Sequence, residues 1–282
     1  MKKHKQYVLI FIIIAFFAVN ISVFLIGENE FFAVTEFEVC NEKITEPITI
    51  VQLSDPHEKS FGENNSRLFS AVANLHPDII FITGDIIRNS YTKNPNIAYM
   101  ESFAKQCAQI APSFFVTGNH DRYHARTVKN AFSQNGVAVL DENVLPFAVG
   151  KTTLNIGGID DPSIDKNGIS KISFTDKEHF NILLAHNPAP FRKTYDKTGA
   201  DLVFCGHTHG GQVRFPFGKA LFTPDDGFAP QYSDGVYTSG STTMVLSMGL
   251  GSSVFPLRIF AQPEITVVHL LAPNNNLEPK IS

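Results

Sequence analysis

The sequence predicts an α/β fold, and three observations predict it. Apolar runs of strand length, rich in β-branched residues, recur from about Ile44 onward. Each run ends abruptly in a cluster of polar residues, and stretches with helical spacing lie between the first three. Near-continuous apolar runs, rather than alternating ones, indicate a sheet buried on both faces. Strand, helix and strand in alternation indicate α/β architecture.

The elements follow in order. Lys2, Lys3 and Lys5 precede an uninterrupted apolar run from Tyr7 to Ile26. At about 1.5 Å per residue, a helix of that length just crosses a bilayer core of about 30 Å. The segment behind it, Gly27-Glu28-Asn29-Glu30, is a poor cleavage site, so an uncleaved anchor is expected, with a cleaved signal peptide as the alternative. Lysines before the span and acidic residues after it place the N-terminus inside and the remainder outside the cell membrane. Residues 1–35 therefore read as a membrane anchor and linker, 45–272 as one catalytic domain and 273–282 as a tail.

Within the domain, Ile48 to Leu53 ends in Ser54-Asp55-Pro56-His57, and Ile79 to Ile82 ends in Thr83-Gly84-Asp85. Phe114 to Val116 ends in Thr117-Gly118-Asn119-His120-Asp121. Ile182 to Ala185 ends in His186-Asn187-Pro188, and Leu202 to Cys205 in Gly206-His207-Thr208-His209. Helices are expected over Asn65 to Leu75 and Tyr99 to Ile110, from apolar residues at helical spacing. Val213 to Tyr232, rich in Phe, Pro and Gly, reads as a long irregular loop whose phenylalanines are expected in the core. The alternative for them is an apolar patch at the membrane. Strands return at Thr243 to Ser247 and Ile265 to Leu271.

Composition removes several function classes. A net charge of -4, with no Lys/Arg-rich run beyond the extreme N-terminus, gives no support to nucleic-acid binding. Three scattered cysteines are too few for a disulfide framework or a thiolate zinc site, and allow at most one bridge. There is no nucleophile elbow and no phosphate-binding Gly-x-x-x-x-Gly-Lys loop. No protein partner is inferable.

In α/β folds the carboxyl ends of the strands line one crevice, so the five polar clusters can converge. Together they supply Asp55, His57, Asp85, Asn119, His186, His207 and His209, all nitrogen or oxygen donors. Burying so many polar side chains without a partner costs several kcal/mol per uncompensated charge, roughly. Cations at the centre remove that cost, and a donor set without thiolate suits Mn, Fe or Zn. Cys205 precedes its cluster on an apolar strand and is expected as a core thiol. Asp160-Asp161-Pro162 reads as a turn, with a role in bracing the ligands as the alternative.

The series Asp55-Pro56-His57, Gly84-Asp85, Gly118-Asn119-His120-Asp121, His186 and Gly206-His207-Thr208-His209 resembles the calcineurin-like metallophosphoesterase superfamily. Gly206 to Gln212, Gly249-Leu250-Gly251, Pro256-Leu257-Arg258 and Pro263-Glu264-Ile265 resemble its membrane-associated bacterial branch. The resemblance implies a four-layer α/β/β/α sandwich and two divalent metal ions. Asp55, His57 and His209 would hold one ion, Asn119, His186 and His207 the other, and Asp85 would bridge them. His120 would act at the leaving oxygen of a phosphate ester, with Asp121 fixing its orientation. Two cations about 3.5–4 Å apart bind a phosphoryl group and activate water for in-line attack. The implied activity is hydrolysis of a phosphodiester or pyrophosphate bond near a membrane, on a substrate that could be lipid-linked. Hydrolysis of UDP-2,3-diacylglucosamine in lipid A synthesis is one activity of that branch and requires a cytoplasmic site. A non-enzymatic metal-binding scaffold is the contrasting reading.

Overall fold

The computed structural model describes residues 2–216, 218–223, 227–252 and 256–273. Phe217 and the expected tail after Pro273 lie outside the described residues. Helix α1 (Lys2–Glu30) precedes strands β1 (Ala33–Cys40) and β2 (Ile48–Leu53), helix α2 (Ser66–Asn74) and strand β3 (Ile79–Thr83). Helix α3 (Ile97–Ile110), strand β4 (Ser113–Val116), helix α4 (Ala125–Gln134) and strands β5 (Ala138–Val139), β6 (Asn143–Val149) and β7 (Thr152–Gly158) follow. Then come β8 (Phe180–Leu184), β9 (Leu202–Cys205), the short β10 (Phe222–Thr223) and β11 (Gly227–Phe228), β12 (Gly235–Ser239), β13 (Thr242–Leu246) and β14 (Glu264–Leu271).

Two six-stranded sheets form, ordered β1-β14-β2-β3-β4-β5 and β12-β13-β9-β8-β7-β6. The strands that carry the polar clusters are parallel within each sheet: β2, β3 and β4 in the first, β8 and β9 in the second. Their carboxyl ends therefore open on one edge of the sandwich.

Alternation along each strand builds three apolar layers from two sheets. Val51, Leu53, Ile80, Ile82 and Phe115 face α2, α3 and α4, which contribute Leu68, Phe103 and Phe132. Ile48, Ile50, Ile79, Phe81 and Val116 face the second sheet, meeting Ile156, Ile182, Leu184 and Phe204. Beyond the second sheet, Leu183, Val203, Cys205 and Met244 pack against Phe191, Tyr195 and Tyr232. That fourth layer is made of irregular chain and 3₁₀ turns at Gly168–Lys171 and Tyr195–Lys197, rather than α-helices.

One boundary and one expectation of burial differ from the sequence reading. The sandwich starts at Ala33 and not at about 45, because β1 pairs in parallel with β14 along its whole length. Its inward and outward residues alternate strictly, so Phe37 and Val39 are half-covered while Glu36 and Glu38 are exposed. The other difference concerns the 213–232 loop, where Phe215, Phe222 and Phe228 are exposed rather than in the core. All three cysteines are free: Cys107 and Cys205 are buried in the core and Cys40 is exposed.

Candidate metal centre

The ends of β2, β3 and β9 turn sharply to aim their polar side chains at the crevice. Asp55, His57, Asp85, His207 and His209 all adopt positive φ, from 45 to 75°. Non-glycine residues avoid that region, and clustered backbone strain of this kind marks functional sites. Glycines permit the crowding. A Cβ on Gly118 would stand 2.2 Å from Asp85 Oδ1, and one on Gly206 would stand 1.9 Å from Ser54 Oγ. Backbone bonds continue the ladder past the strand ends, from Asp55 N to Gly84 O at 3.1 Å and from His57 N to Asp85 O at 3.0 Å.

The seven residues named from sequence meet in one buried pocket. Ligand atoms of Asp55, His57, Asp85 and His209 lie within 4.8 Å of one another, and so do those of Asp85, His186 and His207. Asp85 belongs to both groups, and its Oδ2 lies 3.5 Å from His57 Nε2 and 3.4 Å from His186 Nε2. Asn119 Oδ1 completes the second group, 2.8 Å from His207 Nδ1 and 3.1 Å from His186 Nε2. His57 Nε2 and His209 Nε2 face each other at 3.2 Å. Imidazole nitrogens brought together between buried carboxylates fit a shared cation, and the donor set fits a divalent metal.

The far sides of the rings are tied to backbone, as expected of metal-binding histidines. His57 Nδ1 donates to Ile87 O at 3.0 Å and His186 Nδ1 to Thr83 O at 2.7 Å. His209 is different, because its Nδ1 lies 3.1 Å from Nη2 of Arg258. Electrostatics in the protein alone favour ionised carboxylate. Burial opposes that, but His186 and His57 hold Asp85 well below the usual carboxylate range. Burial would lower His186 as well, yet Asp85 and Asp55 hold it well above an ordinary histidine. Burial, His57 and Arg258 together push His209 well below.

The remaining predicted residues divide. His120 packs its ring edge-on against His57 at 4.7 Å and directs Nδ1 to Arg88 O at 2.9 Å. Its backbone N–H donates to Asp85 Oδ1 at 2.7 Å. Asp121 does not play the orienting part the resemblance implied. Its carboxylate accepts backbone N–H bonds from Gly118, Asp85, Ile86 and Ile87 at 2.9–3.1 Å, locking the β3 and β4 loops together. The His120 ring meets the Arg88 carbonyl and the His57 ring. Burial and the Asp85 carboxylate push Asp121 up to about 7, against those amides. Asp160 sits behind the site, accepting from Thr117 Oγ1 at 2.6 Å and from Lys129 Nζ at 2.6 Å.

Arg258 was visible in sequence only as part of a motif. It is fully buried, and among the described residues no carboxylate is bonded to it. Its guanidinium donates to Gly251 O, to Ala261 O at 3.0 Å and to Met248 O at 2.9 Å. Gly251 in turn donates its N–H to Asp55 O at 2.7 Å, so Arg258 braces both Asp55 and His209. The end of α1 reaches this residue: Asn29 Oδ1 accepts from Arg258 N at 2.8 Å and Asn29 Nδ2 donates to Arg258 O at 3.1 Å. Phe24 packs on Phe260 at 5.1 Å. Only a long-range contact reveals this role, since Asn29 and Arg258 are 229 positions apart.

Residues 48–211 match the calcineurin-like phosphoesterases. The chain is 34% identical over 235 residues to the metallophosphoesterase YkuE of Bacillus subtilis, covering 80% of this chain and 79% of that one. It is 28% identical over 241 residues to the phosphodiesterase YaeI of Escherichia coli, covering 80% and 83%. A transmembrane protein with metallophosphoesterase domain from Danio rerio is 30% identical over 261 residues, covering 84% of this chain and 57% of its own. The chain belongs to the calcineurin-like phosphoesterase family and is a metal-dependent phosphoester hydrolase.

Proposed function

We propose that the protein hydrolyses a phosphodiester or pyrophosphate bond at a membrane surface with two divalent cations, Mn, Fe or Zn. The convergence of seven side chains from five strand ends on one pocket, with Asp85 common to both halves, carries this reading. Asp55, His57 and His209 are assigned to one ion and Asn119, His186 and His207 to the other. Bound there, the cations supply Lewis-acid activation of the phosphoryl group and a water of lowered pKa. The chain's own residues do the rest. Asp85 spans the halves through Oδ2, which faces both His57 and His186, while Oδ1 accepts from the His120 N–H. His120, with Nδ1 engaged by Arg88 O, acts through its other nitrogen on the departing oxygen. Asp121 holds the two loops that present Asp85, Asn119 and His120 in register.

Helix α1 is long and apolar enough to cross a bilayer over Gln6–Glu30. Its last turn is bonded to the catalytic domain, which supports a site held close to the membrane surface. Phe215 and Phe260 line one pocket with Glu28 of α1, and this supports a lipid-linked substrate. The lysines before the span support an extracytoplasmic site. Cys40 is exposed and reports on that orientation: a membrane-impermeant maleimide should label it in intact cells. Labelling only after lysis would put the site in the cytoplasm and favour a UDP-linked lipid pyrophosphate.

The test of the reaction uses the full chain in detergent, stripped with chelator and given back Mn²⁺. Hydrolysis of a chromogenic phosphodiester should require the metal and fall to background in Asp85→Asn. Metal-independent hydrolysis, or full activity in that variant, would overturn the assignment. Phe215→Ser should slow a lipid-linked ester and leave the small diester alone.

A further inference from the structure

A cavity of about 590 Å³ opens beside His120. Arg88, Ser90, Tyr91, Asn119 and Arg122 line it together with His120, and among the described residues no carboxylate does. Among the described residues, neither Arg88 nor Arg122 pairs its guanidinium with a carboxylate. Two unpaired cations beside a phosphoester centre are an electrostatic arrangement for an anion.

Arg122 is held for this purpose. Its guanidinium stacks on Tyr123 at 4.7 Å and Tyr91 at 5.4 Å, and Nη2 donates to Tyr91 Oη at 2.8 Å. Tyr91 and Tyr123 lie 5.2 Å apart and are 71% and 60% exposed, so they brace the arginine from outside instead of filling a core. Nε of Arg122 is buried and has no partner. A buried donor left unmade is costly, and the guanidinium fork is the side-chain group best shaped for a bidentate oxyanion. Arg122 also follows Asn119 and His120 on the same 3₁₀ turn, so its position is fixed relative to both.

We propose that this cavity is a subsite for a second oxyanion, carried on the leaving-group side of the substrate. The inference rests on the phosphoester reading above and narrows it. The substrate class becomes a pyrophosphate, or an ester whose leaving group bears a further phosphate or carboxylate, in preference to a simple dialkyl phosphate. Arg122 and Arg88 bind that group while His120 serves the oxygen between it and the scissile phosphorus.

Equilibrium binding to the full chain in detergent, saturated with Mn²⁺, tests the subsite without requiring turnover. Methylenebisphosphonate, phosphonoacetate and inorganic phosphate serve as probes. Bisphosphonate should bind at least tenfold more tightly than phosphate, and Arg122→Ala should remove that advantage while leaving phosphate affinity unchanged. Arg122→Lys, which keeps the charge but not the fork, should restore part of it. If phosphonoacetate retains the advantage, the second group is any oxyanion; if it does not, the subsite is specific for phosphate. Equal affinity for bisphosphonate and phosphate in the wild type, or parallel loss of both in a folded Arg122→Ala, overturns the subsite. Hydrolysis of the simple diester, measured on the same samples, reports separately on the underlying reaction.

Discussion

Arg258 and Arg122 flank the same metal pocket and are built on opposite principles. Arg258 is completely buried and gives its donors to main-chain carbonyls of Met248, Gly251 and Ala261. Arg122 is only partly covered, rests on two exposed tyrosines and keeps a buried Nε unpartnered. A satisfied arginine spends its bonding capacity on structure, whereas an unsatisfied one next to a cavity has capacity left for a ligand. Position alone would not separate them, since both lie beside histidines of the site.

Stability should therefore separate the two most sharply. Arg258→Met leaves several buried carbonyls without donors, and the loss should be about 3 kcal/mol or more. Arg122→Met removes an exposed bond to a tyrosine hydroxyl and two exposed ring contacts, and should cost under about 1 kcal/mol. Thermal melts of the two variants in detergent measure the difference. Equal destabilisation would mean that Arg122 is as structural as Arg258, and the contrast would fail.

Asn29 tests how far the Arg258 side extends into the anchor. Asn29→Ala deletes the reciprocal pair with the Arg258 backbone, and about 1–2 kcal/mol of stability should go with it. If α1 were only a tether, the melt would not move. Because Arg258 reaches Asp55 through Gly251 and touches His209 directly, the variant should also weaken metal uptake by that half of the pocket by a few-fold. Calorimetric titration with Mn²⁺ reads this as a change in one binding step, with the step assigned to His186 and His207 unmoved.

The same contrast explains what the sequence disclosed. The candidate ligands were legible because four of them stand at the second position after an apolar strand: Asp55 after Leu53, Asp85 after Thr83, His186 after Leu184, His207 after Cys205. Local pattern and topology rule together are enough to gather them. Arg258 carries no such local signal, being a charged residue in a loop whose partners come from distant parts of the chain. Asp121 misled for a related reason. Its place next to His120 suggested a contact through the ring, while its oxygens went to four amides of adjoining turns. Strand β1 was missed because its alternation of Phe37 and Val39 with Glu36 and Glu38 is that of an edge strand, unlike the solid apolar runs of the interior. The four-layer sandwich was legible only through the resemblance, since the irregular chain outside the second sheet has no helical periodicity to announce a layer.

The smallest expected effect concerns whether the Arg258 charge stands on carbonyls alone. Glu264 is buried nearby, accepting from Thr266 Oγ1 at 2.6 Å and Thr35 Oγ1 at 3.0 Å. Burial raises its pKa in spite of those bonds, while Asp55 and Glu264 both support the charge of Arg258, which burial lowers to about 10. A carboxyl with a raised folded-state pKa is bound more tightly by protons in the native protein than in the unfolded chain. Its ionised form thus opposes folding, and stability should rise as pH falls toward that pKa. Glu264→Gln removes the ionisable group without changing shape, so it should stabilise the protein by under about 1 kcal/mol at pH 8 and not at pH 4. Melts at the two pH values measure it. A loss of stability at pH 8 would show that the guanidinium depends on this carboxylate, and Arg258 would then be one end of a buried charge pair rather than a self-sufficient brace.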